Sequence, residues 1–149
     1  MELISGLNNL KSRHQPCVAT IGNFDGVHLG HQAVLGQLAE KGAALGLPTT
    51  LITFEPQPPE FFMRDKAPAR LTSFREKFVT LQRYAIDQVL VLHFNASLAN
   101  MEAEEFIRRI LIEGLNVRHL VVGDDFRFGR QRKGDFALLE QAGREHGFS

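Results

Sequence analysis

The thirteen residues from Ala19 to His31 (ATIGNFDGVHLGH) constrain the fold of this chain more than any other stretch. The apolar run over 17–21 reads as a buried parallel strand. It stops at Gly22, and the NFDG string at 23–26 has turn composition. An amphipathic helix follows, because Val34, Leu35, Leu38, Ala39 and Leu45 repeat at helical spacing. A glycine-containing turn from strand to helix leaves backbone N–H groups unpaired where the helix dipole is positive, which makes an anion site. His28 and His31, with Gly30 between them, stand three apart and share one face of the first turn. Both can point at one bound phosphate. Two other readings of the pair stand beside this one. One is a helix cap with a surface histidine. The other is a metal pair, for which no third ligand is evident.

The rest of the chain repeats the alternation. The pattern predicts strands over 17–21, 49–54, 87–92 and 118–123, and helices over 29–46, 73–85, 101–113 and 135–146. Gly46 and Pro48 end the first helix. Asn100 is the expected cap of the third, with Glu104–Arg108 and Glu105–Arg109 as pairs four residues apart. Asp135 caps the fourth and Gly147 closes it. Apolar strands alternating with helices predict an α/β fold: a Rossmann-like parallel sheet with helices on both faces. Ligands of such sheets bind beyond the carboxyl ends of the strands. The candidate strings all fall there: Gly22 to Asp25, Phe54 to Pro58, His93 to Asn95, and Gly123 to Phe128.

Composition narrows the function classes. Lys+Arg and Asp+Glu both number 17, so no net field favours nucleic acid or an anionic membrane. Arg127, Arg130, Arg132 and Lys133 still make a local basic stretch, either a patch or a solvated loop. No apolar run approaches the ~20 residues of a membrane span, and residues 1–15 lack a signal peptide's apolar core. Cys17 is the one cysteine, which excludes a disulfide framework and points to a reducing, cytoplasmic compartment. Its place in an apolar strand makes it a buried, inert thiol. No Ser-His-Asp or Cys-His constellation is evident.

Pro56, Pro58 and Pro59 make a rigid, extended wall after the second strand, followed by Phe61 and Phe62. Flat apolar rings suit such a surface. Asp124 and Asp125, beside Gly123 at a strand end, are poor core and good ligand material. Phe106 shares a helix with Ile107, Ile110 and Leu111, which favours packing. Arg75 and Lys77 lie in a capped helix with Phe74, Phe78 and Leu81, and that segment reads as mainly structural. His14, His93, His119 and His146 have no evident partners.

GNFDGVHLGH resembles the HxGH signature of the nucleotidyltransferase superfamily. TFEPQP at 53–58, LTSFREK at 71–77, the helix around Glu104 to Phe106, and VGDDFRFG at 122–129 follow in order. The whole set is similar to the N-terminal half of the bacterial bifunctional riboflavin kinase/FMN adenylyltransferase (FAD synthetase) family. The resemblance implies the HxGH nucleotidyltransferase fold, with ATP and FMN as substrates, FAD as product and Mg²⁺ as cofactor. It implies that His28 and His31 contact the ATP phosphates as catalytic residues. Asp25 joins them, either ordering the turn or helping to hold Mg²⁺. Gly22, Asn23, Phe24, Gly30, Gly123, Asp125 and Phe128 are then the nucleotide site. Some relatives carry asparagine where this chain has Asp125, so the carboxylate here adds a group able to reach Mg²⁺. Phe54, Pro56, Pro58, Phe62 and Phe106 are implied for FMN. Family members continue with a further strand, a Ser/Thr-rich phosphate motif and a C-terminal riboflavin kinase domain. The expectation is therefore a C-terminally incomplete adenylyltransferase domain over 1–149, truncated before its last strand and partnered by the kinase domain in the full-length parent. The alternatives are another HxGH nucleotidyltransferase with a different phosphate acceptor, and a fragment that binds nucleotide or flavin without turnover.

Overall fold

The computed structural model describes residues 1–24, 29–55, 74–84, 86–123 and 126–149, with the backbone alone at 29, 30 and 74. Five strands form one sheet: β1 (Glu2–Ser5), β2 (Cys17–Ile21), β3 (Thr49–Phe54), β4 (Gln88–Leu92) and β5 (Val117–Val121). Their order is β1-β4-β3-β2-β5, and every pairing is parallel. The helices are α1 (Leu29–Leu45), α2 (Phe74–Leu81), α3 (Ala96–Ala99), α4 (Ala103–Phe106) and α5 (Phe136–His146). The predicted α/β class, with helices on both faces, is what the chain adopts.

The pleat assigns the two cores. Val18, Leu51 and Val89 face one side and pack with Leu35 and Leu38 of α1 and Leu81 of α2. Cys17, Ala19, Ile52 and Leu90 face the other and pack with Phe106, Ile110, Leu111 and Leu139. Each valine, leucine, isoleucine or phenylalanine among them gains roughly 1.5–3 kcal/mol on burial. Helix α1 lies close on the sheet at Gly42, where a Cβ would stand 2.7 Å from Thr49 Cγ2. Cys17 is fully buried, and burial pushes its thiol up to about 11. It is the inert core thiol expected.

Several boundaries match the sequence reading. Asp135 caps α5 by accepting from the Leu138 N–H at 2.9 Å, and Gly147 closes it at φ 84°. Gly46, at φ 66°, follows α1. The third helix differs. Its N-cap is Glu102, and Asn100 donates instead to the Ala96 carbonyl at 2.9 Å. Beyond Phe106 the helix widens into π geometry over Ile107–Gly114. Neighbours along one face are then five residues apart, and Arg108 pairs with Glu113 at 3.0 Å. Among the described residues no ion pair joins Glu104 to Arg108 or Glu105 to Arg109.

β1 is absent from the sequence reading. It pairs only with β4, and a knot of polar contacts secures the arm that follows it. Arg13 donates to Glu2 at 2.7 Å. The Lys11 N–H donates to His14 Nδ1 at 2.9 Å, so the proton of a neutral His14 is on Nε2, 2.6 Å from Glu2 Oε2. The Gln88 amide donates to the His14 carbonyl at 3.0 Å. The Arg13 hydrogen bond, and then that of His14, hold the Glu2 carboxyl below its ordinary 4.5. A depressed carboxylate contributes stability above its unfolded pKa and loses it as pH falls through the folded value. Glu2→Gln should therefore melt below the parent near neutrality, and the gap should close as pH drops below 4.5. Thermal melts across that range check this, and a gap independent of pH would count against it.

Candidate functional site

An all-parallel sheet brings the ends of β2, β3, β4 and β5 to one edge. Progress from β2 to β3 to β4 runs one way, and the chain then crosses back to set β5 on the other side of β2. The switch point lies between β2 and β5, so the crevice is flanked by Gly22–Phe24 and Val122–Gly123. Of the sequence strings, the described residues Gly22–Phe24 and Gly123 flank this crevice, whereas Phe54 and His93–Asn95 lie at the ends of β3 and β4. The Arg118 carbonyl and the Leu120 N–H on the far side of β5 bond to the Ser149 backbone at 3.1 and 2.8 Å.

The turn after β2 is built by three devices. The Gly22 N–H donates to the Ile52 carbonyl at 3.0 Å, extending the β2–β3 ladder past the strand. Phe24 follows with φ 52°, a left-handed conformation that costs a residue with a Cβ about 1 kcal/mol or more. Its ring is buried and folds back over Gly22, where a Cβ would meet Cε2 at 2.9 Å. That contact requires glycine at 22. The Phe24 ring then meets the half-buried His31 ring at a centroid distance of 4.9 Å. His31 is the third residue of α1, within the turn whose N–H groups lack helical acceptors. Gly30 is in the same turn.

Beneath this turn is a side chain that sequence reasoning treated as structural. Lys77 of α2 is 1% exposed. Its Nζ donates to the Asn23 carbonyl at 2.7 Å and to Thr53 Oγ1 at 3.1 Å. Thr53 Oγ1 is itself 3.4 Å from the Asn23 carbonyl. The signal was in the spacing. Phe74, Lys77, Phe78 and Leu81 follow i, i+3, i+4, i+7, so the lysine falls within the apolar stripe. Thr20, on the same face of β2, carries the one buried hydroxyl without a partner among the described residues.

The other ends are closed by local contacts. The His93 ring Nδ1 is 3.1 Å from the Glu55 carbonyl, and Asn95 caps α3 by accepting from the Leu98 N–H at 3.0 Å. His119 lies 2.7 Å from the Ser149 hydroxyl. Phe54 is buried edge-on against Phe94, with centroids 5.7 Å apart. Phe128 is 5% exposed, stacked on Phe126 and 5.2 Å from Phe106, which is 2% exposed. Phe128 and Gly134 bond backbone to backbone, and a Cβ at 134 would strike the Phe128 ring at 2.7 Å. Phe54, Phe106 and Phe128 are thus core beneath the edge rather than open rings on it. The basic stretch is partly paired: Arg127 lies 3.6 Å from Asp135, and Arg130 lies 3.4 Å from Glu102.

Asp25, His28, Pro56, Pro58, Phe62 and Asp125 lie outside the described residues. Among the described residues no three His, Cys, Asp or Glu side chains are grouped to hold a metal ion. No helix among them is long and apolar enough to cross a membrane.

The profile of the FAD synthetase family matches residues 10–149. The chain is 52% identical over 149 residues to the bifunctional riboflavin kinase/FMN adenylyltransferase of Pseudomonas fluorescens, covering 100% of this chain and 48% of that protein. Identity is 52% with the protein of that name in Escherichia coli K12 and 47% with that in Haemophilus influenzae, each covering 99% of this chain and 48% of the relative. The chain therefore spans about half the length of the curated relatives it matches, their N-terminal half. A Streptococcus pneumoniae crystal structure titled macrolide-efflux protein shares the fold. Its TM-score is 0.77 at 23% identity, covering 94% of this chain and 47% of that one.

Proposed function

This chain belongs to the FAD synthetase family, and we propose that it transfers AMP from ATP to FMN, giving FAD and pyrophosphate. The observation that carries the reading is the strand–turn–helix at the switch point. There the Phe24 ring meets His31 in the first turn of α1, and a helix N-terminus favours phosphate. The 52% identity to proteins named for this activity supports the choice of acceptor.

The chemistry asks little covalent help of the protein. A phosphate oxygen of FMN attacks the α-phosphorus of ATP. The new P–O bond forms as the bond to the β-phosphate bridging oxygen breaks, and pyrophosphate leaves with that electron pair. The enzyme has to align two anions and meet the charge that develops. We assign the phosphates to His28 and His31, and the nucleotide wall to Gly22, Asn23, Phe24, Gly30, Gly123 and Asp125. To Asp25 we assign the ordering of the turn. Pro56, Pro58 and Phe62 face the flavin, while Phe54, Phe106 and Phe128 back these surfaces from the core. Bound Mg²⁺ would supply charge neutralisation at the ATP phosphates, and would draw most of its ligands from phosphate and water rather than from a protein cage. Of the two activities named in the relatives, adenylyl transfer is the one assigned to residues 1–149. Phosphorylation of riboflavin is assigned to the remaining half of the relatives' length. A cytoplasmic site of action belongs to the same reading.

The test is chromatographic. FMN and Mg·ATP are incubated with the purified chain, and FAD and pyrophosphate are quantified. Equal amounts of the two products are expected. A folded sample that makes neither overturns the reading for this chain.

A further inference from the structure

A lysine whose ammonium is withdrawn from water is costly unless its donors are used. Lys77 spends two of its three on one place, the peptide following Asn23 and the Thr53 hydroxyl beside it. The Asn23 carbonyl belongs to the peptide plane that joins residues 23 and 24. Fixing that oxygen fixes the plane, and with it the φ of Phe24. Phe24 sits at φ 52°, a conformation that a side-chain-bearing residue leaves readily when nothing opposes a peptide flip. Its ring rests on His31 at 4.9 Å. One line of contacts therefore runs from α2 through Lys77 Nζ, the Asn23 carbonyl and the Phe24 ring to the His31 imidazole.

We propose that Lys77 is a positioning residue of the strand-end site: its ammonium locks the Asn23–Phe24 peptide and so sets where His31 stands. The catalytic consequence rests on the adenylyl-transfer reading, whereas the geometric one does not. Lysine suits the task because a compact ammonium on a long stem can reach one carbonyl and one hydroxyl in a narrow space. A guanidinium fork cannot enter in the same way.

The test uses Lys77→Met, which keeps the stem and removes the donors. Thr53→Val is the second variant, removing the neighbouring hydroxyl at nearly constant volume. Two quantities are read on each folded protein. The first is the ring-proton resonance of His31 in histidine-labelled protein, assigned with His31→Gln, because the Phe24 ring current displaces it. The second is kcat/KM for FAD formation per folded molecule. In Lys77→Met the displacement should collapse toward the free-histidine position, and kcat/KM should fall about tenfold or more, since a misplacement near 1 Å costs up to ~10²-fold. Thr53→Val should move both in the same direction by less, about threefold in rate. A residue serving stability alone would lower the melting temperature and leave both readouts in place. That result, in whichever variants fold, overturns the proposal. So does an unmoved resonance by itself, or an unchanged kcat/KM with an active parent. A parent that makes no FAD overturns the functional reading instead, and the resonance then decides the positioning role alone.

Discussion

The chain carrying His28→Ala and His31→Ala together is expected to lose FAD formation by about 10²–10³-fold or more. In the proposed transfer, charge builds on the α-phosphoryl oxygens and on departing pyrophosphate, and the proposal assigns both imidazoles to meet it. Groups that act on one anion act as a unit, so the double variant should lie close to the worse single one rather than at their product. Stability should change far less. The His31 ring meets Phe24 at 4.9 Å, and an aromatic contact of this kind contributes about 0.5–1.5 kcal/mol. Rate and melting temperature must therefore be measured on the same samples. A rate that survives removal of both rings would sink the assignment of the HxGH string to the phosphates. A rate lost in step with folded protein would leave the histidines as structure.

The opposite pattern is expected at Phe128. Family likeness implies that this ring neighbours adenine or flavin, yet it is buried between Phe106 and Phe126 and lies against Gly134. Truncation of a buried phenylalanine to alanine costs about 3–5 kcal/mol, so the melting temperature of Phe128→Ala should fall by roughly 10 °C or more. The same core holds the loop from Gly129, at φ 78°, against the start of α4, where a Cβ would meet the Ala103 backbone at 2.8 Å. Phe128→Leu should recover most of the loss. Calorimetry decides between the two roles. A melting temperature left in place, with a raised KM for ATP or FMN, would make Phe128 a ligand contact after all.

The fold was legible where burial makes long signals. β2, β3 and β4 are largely buried runs, the end of β2 follows from Gly22, and the helix boundaries follow from Gly46 and Asp135, residues with one plain local role. β1 escaped because it has four residues and buries only Ile4 well, too little for a two-residue period to show. The π turn escaped because sequence spacing presumes four-residue neighbours, and nothing in IRRILIEG announces five. At the site, the glycine turn and His31 were readable because strand–turn–helix geometry makes an anion site from backbone alone. Lys77 was not, although its stripe position was visible. Lysine is so seldom fully buried that a charge in an apolar face reads as a snorkelling surface residue. Only the fold reveals that a carbonyl waits at its tip.

The pairing of β1 also sets an order of events during synthesis. Glu2 finds its partner at Gln88, so β1 must wait until β4 has been made, more than eighty residues later. Through that interval β2, β3 and α1 can assemble, because their contacts close over short stretches of chain. The amino-terminal arm then docks on an edge already formed. Being held from one side only, it should also be the first strand to exchange its amide protons with solvent, with the amides of β2 and β3 the last.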